Sequence, residues 1–192
     1  MANRPILPGD AFFLLRPNPI EAQAIRIAAM SLKNKFRGTL ADEFHLTVQR
    51  AQDIAPEDWA PLLTDLHRSL QKVRPFKLQA IGLWRFYSEF RQSKSLFWRM
   101  DPADPLLELR GILDEVLEKY NVTKYPFSIE AWKPHTLALH NVLGEDGDLA
   151  LPQDILAPSF TVKELWLSIY LPWGSFAEHP LVIFDTDTTG YS

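Results

Sequence analysis

Apolar side chains recur along this chain in two periods, one of three to four residues and one of two residues. The longer period predicts helices whose apolar stripe faces a core, and it occurs at residues 19–36, 56–73 and 104–120. Short apolar or alternating runs predict strands, and they occur at residues 12–15, 44–50, 76–81, 96–100, 132–140, 161–170 and 181–184.

The predicted order of elements is β-α-β-α-β-β-α-β-β-β. Interleaved helices and several hairpin-like strand pairs are typical of an α+β fold rather than of a doubly wound nucleotide-binding fold. Each half of the chain has a helix near a strand that carries histidine. We therefore expect one domain over residues 1–192 with two pseudo-symmetric lobes, mostly antiparallel sheets, helices on the outer faces and a central cleft.

Composition narrows the possible functions. The chain has 192 residues, 46% of them hydrophobic, with a formal net charge of −4 and no cysteine. A negative net charge argues against coating long nucleic acid by bulk attraction. The absence of cysteine removes disulfides and thiolate zinc ligands. No signal peptide or membrane span is visible, so we expect a cytoplasmic protein, most simply a monomer, without membrane contact.

Two short stretches carry the candidate chemistry. In the strand at residues 44–50, alternation places His45 and Thr47 on one face and the apolar side chains on the other. A second histidine, His135, begins a similar stretch 90 residues further along. If the two strands are neighbours in one sheet, two imidazoles can face each other across a cleft.

These stretches resemble the signature of the two-histidine (2H) phosphoesterases, which include RNA 2′,3′-cyclic phosphodiesterases, also called 2′-5′ RNA ligases. That signature is His-x-Thr/Ser-x, present twice, each copy on an inner strand of a bilobal sheet. The sequence His-Leu-Thr-Val at 45–48 matches the first copy, and Pro-His-Thr-Leu-Ala at 134–138 resembles the second. Residues 162–167 resemble the strand that closes the second lobe.

The second copy departs from the signature, because Leu137 stands where threonine is expected. Three interpretations are open. A β-bulge near Pro134 could turn Thr136 toward the cleft, or the second lobe has lost its phosphate-binding hydroxyl. Alternatively His140, which shares a face with Thr136 in a regular strand, is the working imidazole. We favour His135 as the second catalytic residue, with the bulge.

The resemblance implies metal-independent phosphoesterase chemistry that needs no cofactor. His45 and His135 would act as general base and general acid, and Thr47 and Thr136 would bind the phosphate. Histidine suits this because both of its protonation states are available near neutral pH. The sequence also lacks the common metal-ligand motifs His-x-His and His-Glu-x-x-His.

The expected substrate is an RNA end with a 2′,3′-cyclic phosphate or a small cyclic nucleotide, and the resemblance also allows 2′-5′ RNA ligase activity. The alternative is a module of the same fold that binds a nucleotide or RNA end without turnover. The segment between the strands at 76–81 and 96–100 is aromatic and basic and could contact bases or phosphates. Weaker candidate residues are His140, Arg50, Trp132, Tyr87 and Arg91.

Overall fold

The computed structural model describes residues 6–88, 92–124 and 132–184. Its strands are β1 (Ala11–Leu15), β2 (Thr39–Leu40), β3 (Leu46–Gln52), β4 (Phe76–Ser88), β5 (Ser93–Met100), β6 (Thr123–Lys124), β7 (His135–His140), β8 (Gly147–Leu149), β9 (Ser159–Val162), β10 (Glu164–Tyr170) and β11 (Phe176–Ile183). Its helices are α1 (Pro19–Phe36), α2 (Trp59–Leu70), which follows a short 3₁₀ turn, and α3 (Asp104–Lys119). The predicted order of the main elements is confirmed.

The strands form one antiparallel sheet with two halves. The order is β11-β10-β1-β3 and then β7-β5-β4-β8, while β2, β6 and β9 pair at the sides. The halves meet between β3 and β7, where the registered pair is Leu46 with Thr136. Four strands on each side of this pair give the sheet a pseudo-two-fold arrangement. The predicted bilobal α+β fold is confirmed.

The helices pack on one face of the sheet. Helix α3 packs on β3 and against α2, and α1 packs on β7 and β9. The side chains that face the helices are apolar and buried, among them Phe13, Leu15, Leu46 and Trp98. In the described part of the chain, no helix is both long and apolar enough to cross a membrane.

The end of α1 is fitted closely to β7. The helix starts with a capping box in which the Asn18 side chain accepts hydrogen bonds from the backbone N–H groups of Ile20 and Glu21, both at 3.0 Å. It ends at Arg37, which has a left-handed backbone conformation. A Cβ atom on the next residue, Gly38, would lie 2.7 Å from the carbonyl oxygen of His140. Glycine therefore allows the chain to enter β2 directly against β7.

The hairpin of β4 and β5 differs from the prediction. Strand β4 continues to Ser88 instead of ending near residue 81, and β5 begins at Ser93. Most of the aromatic and basic segment is therefore paired strand rather than a connection. The reason is the partner: eight residues of β4, from Ala80 to Ser88, have registered partners on β5. Strand β8, which lies in a polar segment, also pairs with β4.

Candidate active site

The two histidine motifs meet at the centre of the sheet. Leu46 and Thr136, the middle residues of the two motifs, are directly paired in antiparallel register. Continuing that pairing by one residue each way sets His45 opposite Leu137 and Thr47 opposite His135. The two histidines are then diagonal neighbours, about 7–8 Å apart at the backbone. This separation leaves room for one phosphate group between two imidazole rings.

Both histidines lie on the face opposite the helices. The central residues Leu46 and Thr136 are buried on the helix side, so their neighbours His45, Thr47, His135 and Leu137 point the other way. All four are half-buried rather than enclosed. We call this surface of the sheet the cleft face.

Each motif is followed by a β-bulge at the same position. In β3 the register to β1 skips Val48, three residues after His45. In β7 the register to β5 skips Ala138, three residues after His135. A bulge reverses the alternation of side chains beyond it. The two halves of the site therefore share one local geometry, although their sequences differ.

The bulge lies beyond the second motif and not before it, and this corrects two predictions. Thr136 is paired with Leu46 on one side and Trp98 on the other, and it is 2% exposed. Its hydroxyl faces the core, so the expectation that Thr136 faces the cleft is wrong. The expectation that His140 shares a face with Thr136 is also wrong. The bulge at Ala138 reverses the alternation, so His140 lies on the cleft face, opposite Ser95.

His140 nevertheless lies away from the centre of the site. Along the partner strand β5, it is opposite Ser95 whereas His135 is opposite Arg99. Four residues of extended chain span about 13 Å. Its other neighbour is Thr39 of β2. The geometry therefore joins His45 with His135 and leaves His140 at the periphery.

His135 is surrounded by aromatic rings. The ring centres of Trp84, Phe86 and Phe97 lie 5.2, 6.3 and 4.9 Å from that of His135, each nearly perpendicular to it. Nδ1 of His135 is 2.7 Å from the carbonyl oxygen of Lys133. A carbonyl only accepts, so Nδ1 carries the proton and the neutral ring has its lone pair on Nε2. Burial lowers the pKa of His135 below its usual 6.5, and the Lys133 carbonyl opposes that shift only in part.

Cations flank the second histidine. Arg99 is the registered strand partner of His135, and its Nη1 atom is 3.5 Å from Asp148. Lys133 reaches the same carboxylate at 2.9 Å and lies over the Trp84 ring. Two cations share one carboxylate here, so the cluster has a net positive charge beside His135. Such a charge favours an anionic ligand.

His45 also has a cationic neighbour, Arg16. Leu15 and Leu46 are paired, so the next residues outward, Arg16 and His45, lie side by side on the cleft face. The Arg16 guanidinium stands over Trp166 at 5.1 Å and forms an ion pair with Glu178 at 2.6 Å. Arg16 also lines a separate groove beside the first turns of α1, and neither His45 nor Thr47 lines that groove.

Three of the weaker candidate site residues make contacts that are typical of structural residues. Arg50 is buried and forms an ion pair with Asp10 at 2.6 Å. Trp132 packs against the guanidinium of Arg110 in α3, 4.5 Å from the ring centre. Tyr87 pairs with Lys94, on the face of β4 opposite to Trp84 and Phe86, and its hydroxyl donates to Gln92. Arg91 lies outside the described residues.

Among residues 6–88, 92–124 and 132–184, no group of three or more His, Asp or Glu side chains is arranged to hold a metal ion. Around the motifs, the described cleft face presents two imidazoles, the Thr47 hydroxyl and the cations Arg16 and Arg99, which are ion-paired with Glu178 and Asp148. These are groups that transfer protons and bind anions.

Comparisons with solved structures identify the fold. The chain is similar to TT0787 of Thermus thermophilus (TM-score 0.61, 20% identity, 91% of this chain and 96% of that one). It is also similar to Escherichia coli LigT solved with 3′-AMP (TM-score 0.59, 19% identity, 92% of this chain and 97% of that one). A third similar structure is Kluyveromyces marxianus Usb1 (TM-score 0.54, 13% identity, 92% of this chain and 100% of that one). No protein-family model matches the chain, and no curated protein matches it closely in sequence.

These proteins are members of the 2H phosphoesterase superfamily. The chain therefore has the 2H phosphoesterase fold, and the resemblance seen in the sequence motifs is confirmed at the level of the fold.

Several residues of the site were missed by sequence reasoning. Arg16, Arg99 and the rings of Phe97 and Trp166 reach the cleft face only through strand pairing. Trp84 and Phe86 were noted as part of an aromatic segment, but not as neighbours of His135. The alternation of Trp84 and Phe86 could have predicted that β4 extends past residue 81 and that these two rings share a face. Which strands pair with each other could not be predicted from local sequence.

Proposed function

We propose that this protein is a metal-independent phosphoesterase that opens a 2′,3′-cyclic phosphate on an RNA end or a small cyclic nucleotide. The observation that carries the proposal is the central pair Leu46–Thr136, which sets His45 and His135 diagonally on one face. Two imidazoles at that separation can act on opposite sides of one phosphorus atom. The same fold in E. coli LigT has been solved with 3′-AMP bound, which agrees with a nucleotide ligand.

His135 is the general base in this proposal. Its Nδ1–H donates to the Lys133 carbonyl, and its aromatic surroundings favour the neutral ring. Nε2 then takes a proton from water as the water oxygen attacks phosphorus. His45 is the general acid and gives its proton to the ribose oxygen as the P–O bond breaks. Its Nδ1 atom is buried, so Nε2 is the nitrogen that serves the substrate.

The phosphate is held asymmetrically. Thr47 donates a hydrogen bond to a non-bridging oxygen, whereas Leu137, at the corresponding place in the second motif, has nothing to donate. Arg99 and Arg16 flank the two histidines and stabilise the additional negative charge of the transition state. We expect this asymmetry to lower the rate relative to a site with two threonines.

The direct test is a substrate panel with the purified protein: an RNA 2′,3′-cyclic phosphate, a cyclic ADP-ribose phosphate and a 2′-5′-linked oligonucleotide. We expect turnover of the first, unchanged after dialysis against a chelator. Activity that disappears on dialysis and returns with one divalent ion contradicts the metal-independent mechanism. Turnover of the 2′-5′-linked substrate alone assigns the protein to ligase chemistry instead.

A second candidate is a binding module that holds a nucleotide or RNA end without turnover. The observation that favours it is Leu137, which removes one phosphate-binding hydroxyl from the site. Saturable binding of a 3′-phosphorylated oligonucleotide without turnover of any substrate in the panel is its expected signature.

A further inference from the structure

The β10–β11 hairpin carries exposed aromatic side chains. Trp173 is 75% exposed and Phe176 is 45% exposed. A single exposed apolar side chain is ordinary, whereas a contiguous exposed apolar patch is typical of an interaction site. Trp173 stands at the tip of the hairpin, next to Gly174, whose φ of 84° suits a tight turn.

Strand register places the rings of Phe12, Tyr170 and Phe176 on the cleft face. Phe12 is paired with Ser168 on β10 and with Arg50 on β3, and Phe176 is paired with Tyr170. Phe12 lies two residues along β1 from Leu14, the partner of Thr47, so both point to the cleft face. The aromatic surface therefore begins about 7 Å from the phosphate-binding row.

The rings form one continuous surface. The centre of the Phe176 ring is 5.8 Å from that of Phe12 and 5.1 Å from that of Tyr170. The guanidinium of Arg50 stands over Phe12 at 5.4 Å and is neutralised by Asp10. Glu178 is the acidic group nearby, and its carboxylate forms an ion pair with Arg16. The surface thus combines flat rings with little uncompensated charge.

We propose that this aromatic surface, made by Phe12, Tyr170 and Phe176, binds the bases of the one or two nucleotides that precede the RNA end in the active site. Single-stranded nucleic acid is bound in this way, because every base has a face that stacks on an aromatic ring. The surface is continuous with the proposed site, and one strand of RNA can reach it from Thr47. The natural substrate is then an RNA chain rather than a free mononucleotide. This inference rests on the proposed function of the histidine pair.

The test compares a short and a long substrate with the same reacting group. The substrates are uridine 2′,3′-cyclic phosphate and a tetranucleotide RNA that ends in the same cyclic phosphate. Phe176→Leu keeps an apolar side chain but removes the ring, and Phe176→Tyr keeps the ring. Leu156→Ala, at an 88% exposed position outside the sheet, is the control for a lost exposed apolar group.

We expect Phe176→Leu to lower kcat/KM for the tetranucleotide about 5- to 100-fold and to leave that for the mononucleotide unchanged. Phe176→Tyr and Leu156→Ala should leave both values close to wild type. Equal losses on both substrates, or no loss on either, overturn the proposal. A change from dimer to monomer in Phe176→Leu also overturns it, because the surface is then a contact between two copies of the chain.

Failure of the proposed function is distinguished by binding. If the wild-type protein turns over neither substrate, fluorescence anisotropy with an unmodified tetranucleotide decides the case. Binding that is about 5- to 100-fold weaker in Phe176→Leu supports the aromatic surface even without catalysis. Equal binding by both proteins, or no binding, overturns it.

Discussion

Leu46 and Thr136 are paired at the centre of the sheet, and every other relationship in the candidate site follows from that pair. One step to either side lie His45 and Leu137 at one end, and Thr47 and His135 at the other. Because both central side chains face the core, the four flanking ones face the cleft.

His45→Ala should lower kcat by roughly 10²- to 10⁴-fold on the substrate found by the panel, the usual effect of losing a positioned acid or base. The matched control is His140→Ala, which removes the same side chain from the same face about 13 Å from His135 and should have little effect. Steady-state kinetics with circular dichroism checks both variants. Near wild-type turnover by His45→Ala would refute its role as the acid.

The pH dependence should report the lowered pKa of His135. A base must be neutral, and burial keeps this ring neutral to a lower pH than usual. We therefore expect kcat/KM to keep its neutral-pH value somewhat below pH 6.5 and to decline only as the pH falls through the lowered pKa of His135. Folding stability should fall earlier, as the pH falls from 6.5 to the lowered pKa, because in that range the unfolded chain binds a proton and the folded chain does not.

The aromatic surroundings of His135 can be changed to test the cause of that shift. Phe86→Gln makes them more polar and should raise the His135 pKa toward 6.5, which moves the acid limb of kcat/KM to higher pH. Tyr87→Gln alters the next residue, on the other face of β4, and should not move it. NMR titration of the ring checks both. An acid limb that stays in place in Phe86→Gln contradicts the burial argument.

The two positions beside the histidines should respond in opposite directions. Thr47→Val removes a hydrogen bond to a charged group, which costs about 1.5–3 kcal/mol and lowers kcat/KM roughly 10- to 100-fold. Leu137→Thr adds the missing donor and should raise kcat/KM, whereas Leu137→Val, of the same shape as threonine, should not. Equal activity in Leu137→Thr and Leu137→Val would mean that this position does not contact the phosphate.

Thr136→Val should leave activity unchanged and keep or increase stability. The Thr136 hydroxyl is buried and has no hydrogen-bond partner among the described residues. Replacing such a hydroxyl by a methyl group removes a desolvation cost of about 1–3 kcal/mol. Urea unfolding together with kinetics checks this. A large loss of kcat/KM in the folded variant would show that Thr136 reaches the substrate after all.

Asp10→Ala should destabilise the protein by about 3–5 kcal/mol, because it leaves the buried Arg50 cation without its carboxylate. The two side chains are 2% and 8% exposed and 2.6 Å apart. The double variant Asp10→Leu with Arg50→Met removes both charges and should recover most of the lost stability. Chemical denaturation measures the free energy of unfolding in each. An Asp10→Ala protein as stable as wild type would contradict a structural role for the pair.

The accuracy of the sequence-based prediction varied with the range of the interaction. The strand of His45 and Thr47 follows simple alternation over four residues, so its orientation was predictable from period two alone. His135 and Thr136 follow the same rule, and the expected bulge near Pro134 was the error. The bulge at Ala138 has no local signal, since it arises where Leu96 and Phe97 of β5 fix the register.

The sequence by itself determined the order of helices and strands, the two histidine motifs and their 90-residue repeat, because periodicity and short motifs are local properties of a chain. Only the tertiary structure decided that Thr136 faces the core, that His140 is peripheral and that Trp84, Phe97, Arg16 and Arg99 join the site. Those outcomes depend on which strands pair and in what register. Register is set by packing across the whole sheet rather than by neighbours in sequence.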